Sequence, residues 1–150
     1  MILVQAIALG LIISLYTAEY LGLLAGGLVV PGYFVVISSR PMMLLATILA
    51  SLLALGILKL LSSFMLLYGR RRLLVAVLIG FILAQLSREV VNVYPHPVLM
   101  QLQAFGFIIP GLLAYWMDKQ GILPTLGMLA INVTIVRFIL IILHGGQEVL

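Results

Sequence analysis

Gly22-Leu23-Leu24-Ala25-Gly26-Gly27-Leu28-Val29-Val30-Pro31-Gly32-Tyr33 is the stretch on which the fold turns, and Phe105-Gly106-Phe107-Ile108-Ile109-Pro110-Gly111-Leu112 is its counterpart further along. Each sets a Pro-Gly pair inside an apolar segment about long enough to cross a bilayer. Proline has no N–H and its ring clashes with the preceding turn, while glycine adds conformational freedom. Such a break frees backbone groups that lipid cannot bond. It is tolerated where it is buried in protein or lines a wet cavity.

The rest of the chain supplies that setting. It has 150 residues, 65% hydrophobic and 8% charged, with a mean hydropathy of +1.34. Soluble domains carry about 25% charged residues, so this composition reads as an all-α integral membrane protein with the lipid bilayer as its solvent. Charge-free runs at 1–18, 20–39, 41–58, 73–87, 90–117 and 120–136 mark six hydrophobic segments, near 2–18, 20–38, 42–68, 73–94, 98–117 and 122–143. The expectation is four long helices plus two Pro-Gly-broken ones, forming one transmembrane domain over 1–150. Met1-Ile2-Leu3-Val4 lacks a basic region and Tyr16-Thr17-Ala18 is a poor cleavage site, so the first segment reads as retained.

The two halves, 1–68 and 73–143, read as a weak internal duplication. Gly10 precedes Glu19 by nine residues and Gly80 precedes Glu89 by nine. Val29-Val30 precede Pro31-Gly32 as Ile108-Ile109 precede Pro110-Gly111; Lys59 follows Pro31 by 28 and Arg137 follows Pro110 by 27. The interval from glutamate to Pro-Gly is 12 in one half and 21 in the other, which requires an insertion around Tyr94-Pro95-His96-Pro97. Broken segments at matching places in two halves point to a midplane site in transporter-like folds.

The charged residues are few enough to take singly. Lys59 and Arg137 lie well inside apolar segments. There they either face a protein interior or water path, meeting an anion, or snorkel to an interface or pair with Glu19 or Glu89. Glu19 and Glu89 otherwise mark helix ends. Arg70, Arg71 and Arg72 sit between two long segments and should face the cytoplasm. That cluster attracts lipid headgroups, and is also suited to docking a soluble partner or receiving an anionic product. His96 and His144 read as interfacial. The spacing of Gly22 and Gly26 suits close helix contact. With no cysteine, disulfides and thiol chemistry are excluded. No phosphate-binding loop, nucleophile elbow, dinucleotide fingerprint or metal-ligand cluster is present, so no cofactor, metal or nucleic acid is expected.

Thr17-Ala18-Glu19 through Gly27-Leu28-Val29-Val30-Pro31-Gly32-Tyr33, the loop Leu67-Tyr68-Gly69-Arg70-Arg71, and Gly106 to Leu112 followed by Gln120-Gly121-Ile122-Leu123-Pro124 resemble the CapC/PgsC family over nearly the whole chain. These are small subunits of the poly-γ-glutamate synthesis and export machinery in the bacterial plasma membrane. The resemblance implies two partners, the ATP-dependent amide ligase CapB/PgsB and the membrane-anchored CapA/PgsA. Where relatives carry a basic residue before the second Pro-Gly, this chain has Gln101 and Gln103. A polyanion cannot cross hydrocarbon unaided. Lys59, Arg137, Pro31, Gly32, Pro110 and Gly111 are the residues expected to form its path, with half-helix N-termini favouring carboxylates. Arg70, Arg71 and Arg72 would lie at the cytoplasmic mouth, where the ligase docks. The resulting reading is a noncatalytic subunit, assembled as a homo-oligomer because one chain of this size hardly encloses a wide channel. A stand-alone small-molecule or anion transporter is the second reading, and an enzyme in its own right, using Glu19 or His96, the third.

Six spans put the N-terminus outside and invert one half against the other; re-entrant Pro-Gly segments leave four spans and parallel halves. A cysteine introduced at Asp118 in this cysteine-free chain is expected to react with impermeant reagent only from the cytoplasmic side. Reaction from outside would establish four spans.

Overall fold

The computed structural model describes residues 2–24, 26–95, 97 and 108–146. Among the described residues six helices follow one another: α1 (Ile2–Leu21), α2 (Val30–Ile37), α3 (Pro41–Phe64), α4 (Arg70–Val93), α5 (Ile109–Gln120) and α6 (Ile122–Leu143). At about 1.5 Å per residue the 8-residue α2 and the 12-residue α5 are about 12 and 18 Å long, short of a roughly 30 Å hydrocarbon core. The other four are long and apolar enough to cross a membrane. The Pro-Gly pairs do not bend a helix in its middle as the sequence suggested. Each begins one, with proline in the first turn where its missing N–H has no helical partner to lose.

Other boundaries also depart from the sequence reading. Glu19 does not end α1, which runs on to Leu21 and stops at Gly22, whose φ of 65° no helix accommodates. Gly26 (φ 78°) and Gly27 (φ 111°) keep the chain non-helical until α2 begins. Met65, in extended conformation, closes α3 before residue 68. Arg70–Arg72 belong to the first turn of α4, not to a loop.

The short helices are pressed against long ones by glycine. A Cβ on Gly10 of α1 would lie 2.6 Å from the Cα of Gly32 in α2, and one on Gly32 would lie 2.7 Å from the Cα of Ile7. In the same way a Cβ on Gly80 of α4 would lie 2.5 Å from the Cα of Gly111 in α5, and one on Gly111 would lie 2.6 Å from the Cα of Val77. Ala6 and Ala76, four residues earlier on each long helix, are fully buried. α2 packs on α1 and α6, and α5 packs on α3 and α4. Phe34, Leu58, Leu113 and Met117 are fully buried where α2, α3 and α5 meet, and Leu129 joins them from α6. A second cluster joins Ala6, Val35, Val136 and Leu140.

Gly80→Ala is therefore expected to lower stability by about 1–3 kcal/mol, since its methyl meets backbone that cannot swing aside. Gly56, on α3 with no atom near its Cβ position, provides the contrast. Gly56→Ala should be neutral or raise stability by up to about 1 kcal/mol. Thermal unfolding of the two variants in detergent measures the difference.

Candidate functional site

Three long-range polar contacts arrange the ends of the helices. Arg72 Nε lies 2.6 Å from Asp118 Oδ2, bringing the start of α4 to the end of α5. Asp118 is 8% exposed and Arg72 27%, so this is a partly desolvated ion pair, in close contact but not aligned as a hydrogen bond. Three basic residues in the first turn of a helix oppose the helix dipole, and the carboxylate offsets part of that cost. Gln120, two residues beyond Asp118, accepts from Leu24 N–H and donates to the Leu24 carbonyl, both at 2.7 Å. Its side-chain amide thus pairs with a backbone that has left the helix. Gly26 lies against Leu113 and Gly27 against Trp116, so the segment after α1 runs along α5. At the opposite end Arg137 Nη1 donates to Ser38 Oγ at 3.2 Å, beside the C-terminal carbonyls of α2, where a cation is favoured.

The expected site residues are distributed unevenly over this frame. Pro31, Gly32, Pro110 and Gly111 are buried and packed against α1 and α4. Arg70 and Arg71 are exposed at the start of α4, with Arg72 committed to Asp118. Lys119 lies 5.2 Å from the Tyr115 ring centre and 5.7 Å from that of Trp116, so the same end of the bundle gathers four basic side chains. Lys59 and Arg137 are both exposed, on the outer faces of α3 and α6. They are not brought together: Lys59 lies near the end of α3 that leads to Arg70, and Arg137 beside α2's far end. Glu19 is exposed; Glu89, also exposed, accepts from Gln85 Nε2 at 3.4 Å. His144 Nδ1 lies 3.0 Å from the Leu140 carbonyl. His96, Gln101, Gln103 and Gly106 lie outside the described residues. Among the described residues no His, Cys, Asp and Glu group could hold a metal.

Sequence reasoning missed a second polar set. Ser14, Thr47, Ser51, Thr125 and Asn132 are fully buried. Ser14 Oγ donates to the Gly27 carbonyl at 3.3 Å, and Asn132 Nδ2 donates to Thr17 Oγ1 at 3.2 Å, joining α6 to α1. Asp118 was read only as the end of a charge-free run and Gln120 only as part of the family motif, yet Asp118 is the chain's one aspartate.

The family described as Capsule biosynthesis CapC matches residues 9–126. The PGA biosynthesis protein CapC of Bacillus subtilis (strain 168) is 37% identical over 123 residues, spanning 81% of this chain and 82% of its own. The capsule biosynthesis protein CapC of Bacillus anthracis is 35% identical over 123 residues, with the same shares. No solved structure matches the chain.

Removing one partner of the buried pair strands the other. Asp118→Ala is expected to destabilise the chain by about 2 kcal/mol, less than for a fully buried pair because Arg72 still reaches water. The exchange Arg72→Asp with Asp118→Arg should recover part of that loss. A double-mutant cycle on detergent-solubilised protein measures the coupling.

Proposed function

The chain belongs to the CapC family of capsule biosynthesis proteins, and we propose that it is the noncatalytic membrane subunit of a poly-γ-glutamate synthase. In this role it docks the cytoplasmic ATP-dependent amide ligase and passes the polymer outward. The observation that carries the reading is the basic end of the bundle. Arg70, Arg71 and Lys119 stand exposed or half-exposed beside the Arg72–Asp118 pair, at the face that positive charge assigns to the cytoplasm. An acidic ligase surface and an emerging polycarboxylate both suit that face.

The reading has the chain cross six times in two inverted halves. Its support is positional. Val35 of α2 packs against Ala6 near the start of α1, and Asp118 of α5 pairs with Arg72 at the start of α4. Each half-helix thus carries the chain back to the end where its long helix began. The Gly10–Gly32 and Gly80–Gly111 contacts make the two hairpins alike. Inverted repeats with half-helices are a transporter architecture.

The polymer path in this reading runs between copies of the chain, or between it and a membrane partner, instead of through one bundle. Phe34, Leu58, Leu113 and Met117 fill the middle of a single copy, while Lys59 and Arg137 face outward. Charges on an outer face in hydrocarbon are costly unless another protein surface or water covers them. Assembly would gather Lys59 from several copies near the cytoplasmic end and Arg137 near the outer one, with the Pro-Gly half-helices holding the walls apart.

Gentle extraction followed by mass spectrometry is expected to recover a ligase with an ATP-binding fold in stoichiometric amount. Arg70→Gln with Arg71→Gln should reduce the ligase recovered severalfold. Lys59→Gln with Arg137→Gln should leave that recovery intact and lower exported polymer. Export unchanged by the second pair would remove those residues from the path. Recovery of the chain without any ligase would favour a free-standing transporter.

A further inference from the structure

Lys59 on α3 and Glu19 on α1 are exposed, and among the described residues neither side chain has an opposite charge or a hydrogen-bond partner. The other two charges set alike are better provided for. Arg137 reaches Ser38 beside the carbonyl end of α2, and Glu89 accepts from Gln85.

The two unpartnered charges lie toward one end of the bundle. Gln120 binds Leu24, just past the end of α1, and Asp118 pairs with Arg72, in the turn that opens α4 after α3. The C-terminal ends of α1 and α3 are therefore at the same end, and the two helices point the same way. Lys59 stands five residues before the end of α3 and Glu19 two before the end of α1, so their depths differ by about 4.5 Å, less than a lysine side chain spans. Cα–Cβ bonds lean toward a helix's N-terminus. On α1 and α3 that is away from the nearer membrane surface, so Lys59 must turn back on itself to reach the headgroups. An ammonium and a carboxylate at such a place are each costly in lipid, and each relieves the other.

Within one copy the two form no ion pair: α1 lies against α2 and α6, and α3 against α4 and α5. The surfaces around them match in shape as well as charge. Gly56, one turn before Lys59, is exposed, and nothing lies within 4 Å of where its Cβ would be. Leu15, one turn before Glu19, is exposed on the stripe that also carries Ala8 and Ile12. In parallel helices with the charges paired, Leu15 falls opposite the notch at Gly56, and a small residue there allows close approach.

We propose that α1 of one copy docks on the outer face of α3 of a second copy, with Glu19 of one paired to Lys59 of the other inside the membrane. This contact deepens the assembly reading above and rests on it only for α1 and α3 spanning the bilayer. Its test reads association of copies, so it can fail while ligase recovery and polymer export hold.

Full-length chains carrying a donor or an acceptor dye are reconstituted in phosphatidylcholine vesicles at a fixed protein-to-lipid ratio, and energy transfer between them is measured. Wild-type copies should show saturable transfer. Lys59→Glu alone and Glu19→Lys alone should each lose it, because the seam then holds charges of one sign. An equimolar mixture of those two variants should recover it, since each meets its opposite only in the other chain. Gly56→Leu, which keeps both charges and fills the notch, should lower transfer severalfold, and decides the matter where a charge variant does not insert. No transfer between wild-type copies, undiminished transfer in Lys59→Glu or Gly56→Leu, or a mixture of the two charge variants that stays apart while both are helical by circular dichroism would overturn the contact and leave Lys59 to the headgroups or to a different protein.

Discussion

Backbone that leaves the helix inside hydrocarbon finds no water, so each N–H and C=O it exposes must be bonded or buried by the protein itself. In the six-span reading residues 22–24 and 26–29 are under that constraint, and the contacts of the bundle meet it. Gln120 takes both polar groups of Leu24, Ser14 takes the Gly27 carbonyl, and α5 covers Gly26 and Gly27 from the side. The half-helices need an equally close fit. Without side chains at Gly10, Gly32, Gly80 and Gly111 the helix backbones touch directly, which excludes lipid from the break and gives the short helices a rigid wall.

Filling the interior in this way decides where charge can go. Phe34, Leu58, Leu113 and Met117 occupy the centre, so the basic residues are displaced to the ends and the outer faces. At one end the Arg72–Asp118 pair lets a cationic helix start approach the end of α5. At the other, Arg137 reaches Ser38 beside the negative pole of α2. Both contacts match a cation to a place where the fold already offers negative potential.

Much of this was legible in the sequence and some could not be. The Pro-Gly pairs and the apolar runs between charges located the two short helices and the four long apolar ones. Helix ends were misplaced where charge was used as the marker. Glu19 tolerates a helix around it, whereas the backbone of Gly22 does not continue one. The facing of Lys59 and Arg137 was hidden for a different reason. α3 and α6 are apolar around their whole circumference, and a helix in lipid needs no polar side, so periodicity carries no directional signal. The pairings of Asp118, Gln120 and Asn132 join residues far apart in the chain, and only the folded topology brings them together.

The Gln120–Leu24 pair has a bearing on how the protein is made. Its two members are 96 residues apart, with the earlier one in the first half of the chain. At a synthesis rate of 5–20 residues per second, Leu24 emerges roughly 5–20 s before the glutamine that satisfies it. Throughout that interval the first hairpin must either wait at the aqueous lateral gate of the insertion machinery or enter lipid with its amide unbonded. In the six-span reading membrane insertion of this chain is thereby coupled to completion of its second half, and a nascent chain cut off before Gln120 would present an unpaired stretch that quality-control proteases can recognise.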